Sequence, residues 1–537
     1  MILKYFARKI VSAQKRNKAN HDSMLEHEEI VISKNLEQNL NFIRLSLGES
    51  LDLKIHEFAF GEHDQFLGAL IYIDGLVNTI QITEGILKPI TSNRNKYKSS
   101  EELTISEIRR SILCSGSVVE SDVFSQILDG CLSGSTIMIL DSFSKALIIN
   151  TELWEKRNVT EPQTESVVRG PREGFTENLQ TNTTLLRRRI KSPKLKMENM
   201  IIGHKTSTNI CIAYIEGVAR PEIIELLRTR LNSINVDAIL DSGYIEEYIE
   251  ESPFSIFSTV GYSEKPDVIA SKILEGRIAI ISDGSPFVLT VPMLFIESFQ
   301  TAEDYYVRAF YASITRLMRI FCFFIAVFAV PIFIALSTFH QELIPTTLLF
   351  TIATAREGTP FPVLFEALIL VISFEILREA GLRLPRPIGQ AISIVGALVM
   401  GDAAVSAGIV GAPMVITVAI TAVAGFIIPS QADSISILRI IMMILASVLG
   451  GFGIAIGFLG MLVQLANMTS FGVPYLGAVT LSRNQQDSFI RAPLWMMQER
   501  PEGIVYEDKQ RKEVFIPPVK SDENIKQEGK DNFDEET

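Results

Sequence analysis

Cysteine, tryptophan and histidine are scarce in this chain, with four, two and six copies among 537 residues. Cys114, Cys131, Cys211 and Cys322 lie far apart and form no CxxC pair, so neither a disulfide framework nor a thiolate metal site is indicated. The histidines include the neighbours His21 and His27 but no ligand spacing, and no metal is expected. The G-x-x-x-x-G-K-[ST] phosphate loop, H-E-x-x-H and the G-x-S-x-G elbow are all missing, which argues against an enzyme and against a bound cofactor. A net charge of −12 speaks against a general nucleic-acid binder. The start has no uninterrupted apolar run of the secretory type, so the N-terminal half is expected to stay in the cytoplasm.

What the chain does have is unevenly placed. The first 300 residues have the composition of an ordinary soluble protein, while 317–466 is strongly apolar. About 20 apolar residues cross a bilayer core. Leu317 to Phe339 supplies one such span, with Pro331 as a kink point, and Pro362 to Leu377 a shorter second. Ile388 to Pro429 reads as two spans broken near "SAGIVGAP", and Ile437 to Leu465 as the last. That is five spans, or six if Gln341 to Pro360 also crosses. Arg308, Arg316 and Arg319 flank the first span, Arg378, Arg383 and Arg386 follow the second, and Arg439 falls on the same side. This pattern orients all three groups toward the cytoplasm.

Small residues fill the later spans. Ala403, Ala407 and Gly411 repeat every four residues, as do Ala404, Gly408 and Ala412, and Gly453 and Gly457 make a GxxxG. Such stripes let helices approach closely in lipid, either within one subunit or at a subunit interface. Glu366, Glu375 and Asp402 are carboxylates in or near the spans, where charge is costly and often functional. They are the candidate ion-path residues, with Glu375 also able to pair with Arg378.

The N-terminal half carries an internal repeat at an offset of 142 residues. "LIYIDGLV" (Leu70 to Val77) matches "IAYIEGVA" (Ile212 to Ala219), which aligns Gly75 with Gly217. "LSGSTIMILD" matches "LEGRIAIISD", which aligns Gly134 with Gly276 and Asp141 with Asp283. Apolar strands bounded by Asp, Ser and Gly turns, with helices such as "PEIIELLRTRLNSI" between them, predict two similar α/β subdomains. Asp141 and Asp283 read as hairpin-turn residues.

Between the copies lies "VVRGPREGF" (Val167 to Phe175), followed by a basic run with Arg187 to Arg189. Arg169, Gly170, Pro171, Arg172, Glu173 and Gly174 form this motif, and Arg169 and Arg172 are expected to dock the two subdomains. The basic run is either a solvated helix face or is held by acids of the other copy or of a neighbouring chain. The expected layout is a basic N-terminal extension (1–40), subdomain 1 (41–150), a linker carrying the signature motif and a basic helix (151–198), subdomain 2 (199–305), a transmembrane domain (308–466) and a C-terminal segment with an acidic tail (467–537). The fold class is therefore α/β in a duplicated soluble half, followed by an α-helical multi-pass membrane domain.

The motif and its continuation "TENLQTNTTLLRRRIKSPKLKME", together with "AYIEGVARPEIIELLRTRL" and "FEILREAGLRLPRPIGQAISIVGALVMGDAAVSAGIVGAP", resemble the A subunits of bacterial spore germinant receptors, the GerA family. The resemblance covers roughly 40–500. It implies a place in the inner membrane of a dormant endospore beside a permease-like B subunit and a lipoprotein C subunit. It also implies homo-oligomerisation around an ion path and a response to a small nutrient, which the B subunit is expected to bind. A secondary transporter is the other class the spans would suit, although its inverted repeats are not seen in them.

Overall fold

The computed structural model describes residues 30–48, 50–61, 65–92, 105, 108–109, 117–153, 162, 165, 167–383, 401–477, 487–497, 499–501 and 503–508. The basic start of the chain, the His21/His27 pair, Cys114, the beginning of the third expected span (388–400) and the acidic tail lie outside them. The chain divides into two compact units, one of residues 1–249, 261–291 and 492–537 and the other of 250–260 and 292–491.

The first unit is the duplication. Its first copy runs α1 (Leu36–Leu47), β1 (Leu53–Phe60), β2 (Phe66–Ile73), β3 (Val118–Ser121), α2 (Phe124–Leu132), β4 (Ser135–Leu140) and β5 (Ala146–Asn150). The second runs α3 (Leu179–Arg189), β6 (Leu195–Ile202), β7 (Thr208–Ile215), α4 (Pro221–Ser233), α5 (Ser242–Ile249), β8 (Gly261–Ser263), α6 (Pro266–Leu274), β9 (Ile278–Ser282) and β10 (Val288–Val291). The sheets have orders β1-β2-β4-β5-β3 and β6-β7-β9-β10-β8, and every pairing is antiparallel.

The copies agree down to single side chains. Gly75 and Gly217 sit at φ +84° and +81°, and Gly134 and Gly276 at +96° and +95°, the left-handed region that glycine enters freely. Asn35 and Asn178 cap α1 and α3 by accepting from Gln38 and Thr181 amides. Asp141 and Asp283 do more than turn their hairpins. Each carboxylate accepts the amide of the first residue of its copy's leading helix, Leu36 or Leu179, at 3.1 Å. Buried Asn39 and Asn182 each clamp the backbone ahead of that helix, at Ser33 and Thr176. The leading helix of the second copy therefore falls inside 151–198, the stretch whose composition suggests a linker.

The strands read as nearly continuous apolar runs because both faces of the first sheet are covered. Ala69, Ile71, Ile137 and Ile139 pack with α1 and α2. Leu70, Met138, Leu140 and Ile149 pack with Ile82, Ile86 and Ile90 on the other face.

The second unit is helical: α7 (Ala309–Thr338), α8 (Thr346–Arg356), α9 (Val363–Arg383), α10 (Ala412–Phe426) and α11 (Ala432–Asn467). Five spans are not what it shows. Among the described residues two helices are long and apolar enough to cross a membrane, α7 and the run Pro429–Asn467. The reasons are local. In α9, Glu366, Glu375, Arg378, Glu379 and Arg383 interrupt the apolar stretch. The 11 residues of α8 extend only about 16 Å and the 15 of α10 about 22 Å.

The last helix also doubles back. Gly450 leaves the helical region at φ 61°, ψ −140°. A Cβ on Gly457 would stand 2.5 Å from the Met442 sulfur, although 15 residues of straight helix span about 22 Å. Ser434, near one end, donates to the Ile256 carbonyl, and Gln464, near the other, donates to the Ser255 hydroxyl. The run is therefore a hairpin of two arms, 432–449 and 451–467. Its tip rests on Phe339, and His340 Nε2 accepts the Gly451 amide at 3.1 Å.

Candidate functional site

Among the described residues, three clusters of paired charges bear on the predicted site residues. The first joins the two copies. In the last turn of α3, Arg187 points inward and is 1% exposed. Its Nε donates to Asp52 Oδ2 at 2.8 Å and one Nη to Asp52 Oδ1 at 3.0 Å, a bidentate fork. The same Nη reaches the Ser50 hydroxyl at 3.1 Å, and the other Nη donates to the Leu195 and Ser192 carbonyls. Asp52 belongs to the first copy, so acids of the other copy do hold one arginine of the basic run. The backbones meet beside it, where Leu51 N–H donates to the Met197 carbonyl at 2.9 Å. At Gly75 a Cβ would come within 2.1 Å of the Thr184 hydroxyl.

Arg169 and Arg172 are both exposed, whereas the buried ion pair of this joint is made by Arg187. The motif instead lies along the second copy. Lys265 Nζ donates to the Pro171 carbonyl, Phe175 N–H to the Glu264 carbonyl, and Glu173 pairs with Arg188 and Arg189. Just ahead of it, burial raises the Glu165 carboxyl above its usual range, against the lowering effect of the Ser263 hydroxyl that donates to it at 2.6 Å. Elsewhere in the second copy, Glu198 accepts a fork from Arg228 and the Tyr214 hydroxyl. Burial works against its ionisation, but these donors hold it below the ordinary carboxylate range. Burial pushes the thiol of Cys131, in α2, up to about 12 and that of Cys211, in β7, higher still, which keeps both protonated at neutral pH.

The second cluster is at the foot of α7. Arg316, fully buried, holds Asp304 and Asp487, and Arg319 forks onto Asp304. Two of the three arginines flanking the first span thus also staple its entry.

The third holds the predicted ion-path acids. Glu366 is completely buried in α9. Its Oε1 accepts from Arg356 and the Thr359 hydroxyl, and its Oε2 from the Gly411 amide. Glu375 takes Arg378 at 2.7 Å, Arg439 at 2.6 Å and the Ser436 hydroxyl at 3.1 Å. Both carboxylates are neutralised, as a low-dielectric setting requires. Asp402 differs: it is exposed and has no ion pair or hydrogen-bonding side-chain partner among the described residues. Sequence spacing suggests the Glu375–Arg378 pair, but Arg356 and Arg439 lie 10 and 64 residues from their partners, beyond any local pattern.

The small-residue stripes are not continuous helix faces. Helix 401–406 ends before Ala407, Gly408 turns at φ +67°, and Gly411 is the extended N-cap of α10. Ala403, Ala407 and Gly411 therefore leave a common face, and so do Ala404 and Gly408. Gly453 and Gly457 sit inside the hairpin, where their missing side chains let the arms close onto the Leu445 carbonyl and Met442. The signal was "GG" at 450–451, a break that the GxxxG reading passed over.

A duplicated α/β module continued by apolar, ion-paired helices, two of them long and apolar enough to cross a membrane, is the plan of a folded domain joined to a membrane part. Comparison with known proteins specifies it further. The family profile described as Bacillus/Clostridium GerA spore germination protein matches residues 41–503. Spore germination protein KA of Bacillus subtilis (strain 168) is 43% identical over 90% of this chain and 89% of its own length. The uncharacterized membrane protein YfkQ of the same organism is 42% identical over 89% and 92%. The crystal structure of the N-terminal domain of the A subunit of the Bacillus megaterium germinant receptor GerK3 aligns with 31% identity and a TM-score of 0.40, covering 50% of this chain and 99% of that one. The chain belongs to the GerA family of spore germination proteins, as a germinant-receptor A subunit and a membrane protein.

Proposed function

We propose that this subunit relays small-nutrient binding across the inner membrane of the spore, in a complex with a permease-like B subunit and a lipoprotein C subunit. In this reading the B subunit binds the nutrient, copies of the A subunit assemble, and a monovalent-cation path opens along a face that includes Asp402. One observation carries it. Of the three candidate ion-path carboxylates, Glu366 and Glu375 are neutralised by arginine, while Asp402 is exposed and has no side-chain partner among the described residues. An ionised carboxylate there is tolerable when water or a neighbouring chain solvates it, and a ring of such acids favours cations. Asp402→Asn keeps the size and removes the charge. Nutrient-triggered cation release from spores then slows or loses ion preference while receptor levels stay normal. Release unchanged in rate and selectivity assigns Asp402 to the surface and the path elsewhere.

A further inference from the structure

The two copies part ways after their last strands, β5 and β10. In the first, the chain leaving β5 pairs at once with the turn after β2. Glu152 bridges Val77, and Leu153 N–H donates to the Leu76 carbonyl at 3.2 Å. The offset of 142 puts the counterparts of Glu152 and Leu153 at Leu294 and Phe295. Those residues do not take that position, because after Val291 the chain departs into the second unit, where Phe295 N–H donates to the Tyr475 carbonyl. The vacated seat is nevertheless filled. Val505 bridges Ala219, the counterpart of Val77, and Tyr506 N–H donates to the carbonyl of Val218, the counterpart of Leu76, at 2.9 Å. Gly134 and Gly276 face these segments in the same way: a Cβ would meet Leu76 O and Glu152 in one copy, Val218 O and Val505 in the other.

We propose that the seat formed by Val218–Arg220 and Gly276 is a binding site for an extended peptide segment, and that its resident is the chain's own Gly503–Asp508. The membrane part, 292–491, is then an insertion within the second copy, and the copy is completed only by residues beyond that insertion. The chemistry of the seat selects its occupant. Ile504 and Val505 are buried, at 0% and 7% exposure. Arg220 donates to the Gly503 carbonyl at 3.1 Å. Arg500 closes the far end, donating to the Leu274 carbonyl and pairing with the Asp508 carboxylate at 3.0 Å. Main-chain bonds fix the direction and two aliphatic side chains fix the register, as in strand addition to a sheet edge.

The test uses the full-length chain in membranes and does not depend on the nutrient-relay reading, since neither readout needs a response. Ala219→Cys together with Val505→Cys should form a disulfide under mild oxidant, seen as a mobility change that reductant reverses. Val505→Asp should expose the segment, so that chymotrypsin cuts after Tyr506 at least tenfold faster while the tryptic pattern of the remaining chain stays the same. Val505→Ile should keep the slow rate. No disulfide between positions 219 and 505, or equal cleavage of Val505→Asp and the parent chain, overturns the proposal. A variant that is degraded throughout is set aside in favour of Ile504→Ser, for which the same tenfold criterion applies.

Discussion

Arg187 offers the sharpest test of how the two copies are held. Its guanidinium makes five hydrogen bonds, two of them to Asp52, and both side chains are almost fully buried. Arg187→Met fills a similar volume but leaves the Asp52 carboxylate buried with only the Ser50 hydroxyl donating to it, at 2.7 Å. Breaking one side of a buried pair costs about 3–5 kcal/mol, whereas replacing both sides by apolar groups is often close to neutral. Arg187→Met should therefore accelerate amide hydrogen exchange in β1, α3 and β6 by roughly a hundred- to a few-thousandfold, at about 1.4 kcal/mol per decade, if opening of the joint limits exchange. Asp52→Leu in the same chain should recover most of that loss. Arg187→Lys should fall between, because an ammonium keeps the charge but not the planar fork. The assay is exchange mass spectrometry on the full-length chain in detergent, with peptides of α7 as the internal standard. If the single and double variants exchange equally fast, the ion pair does not hold the joint and the reasoning fails.

Three further outcomes follow from the same geometry. In the hairpin, spin labels on Ile437→Cys and Val463→Cys should report a distance far below the roughly 39 Å that 26 residues of straight helix would give; a value near that length refutes the fold-back. Gly450→Leu should lower the yield of assembled protein, since a side chain at φ 61° stores about 1–3 kcal/mol and would press on the Phe339 ring. The depressed Glu198 carboxyl contributes stability that is present above the unfolded carboxylate pKa, about 4.3, and is lost as pH falls through its lower folded value. Glu198→Gln should accordingly flatten the acid limb of the stability profile, and an unaltered limb measured by thermal unfolding would count against the Arg228 cluster.

Much of the architecture was legible in the sequence because a duplication writes its restraints twice. Gly75 and Gly217 must both adopt positive φ, and Asp141 and Asp283 must both meet a helix start, so identical residues recur at a fixed offset. The alternation of apolar strands and turn residues likewise marks both sheets. The apolar stretch beyond residue 300 announces itself by composition alone. What the sequence could not determine are pairings between residues distant along the chain. Asp52 meets Arg187 across 135 positions and Arg439 meets Glu375 across 64, and no local period encodes either. Span counting fails for a related reason. Hydropathy measures how apolar a segment is but not its direction, so a single backbone reversal at Gly450 turns one apparent span into two arms. The seat at Val218 makes the same point: the repeat shows that a strand-like segment belongs there, but only the tertiary structure decides that Val505, more than 200 residues further on, is the one that fills it.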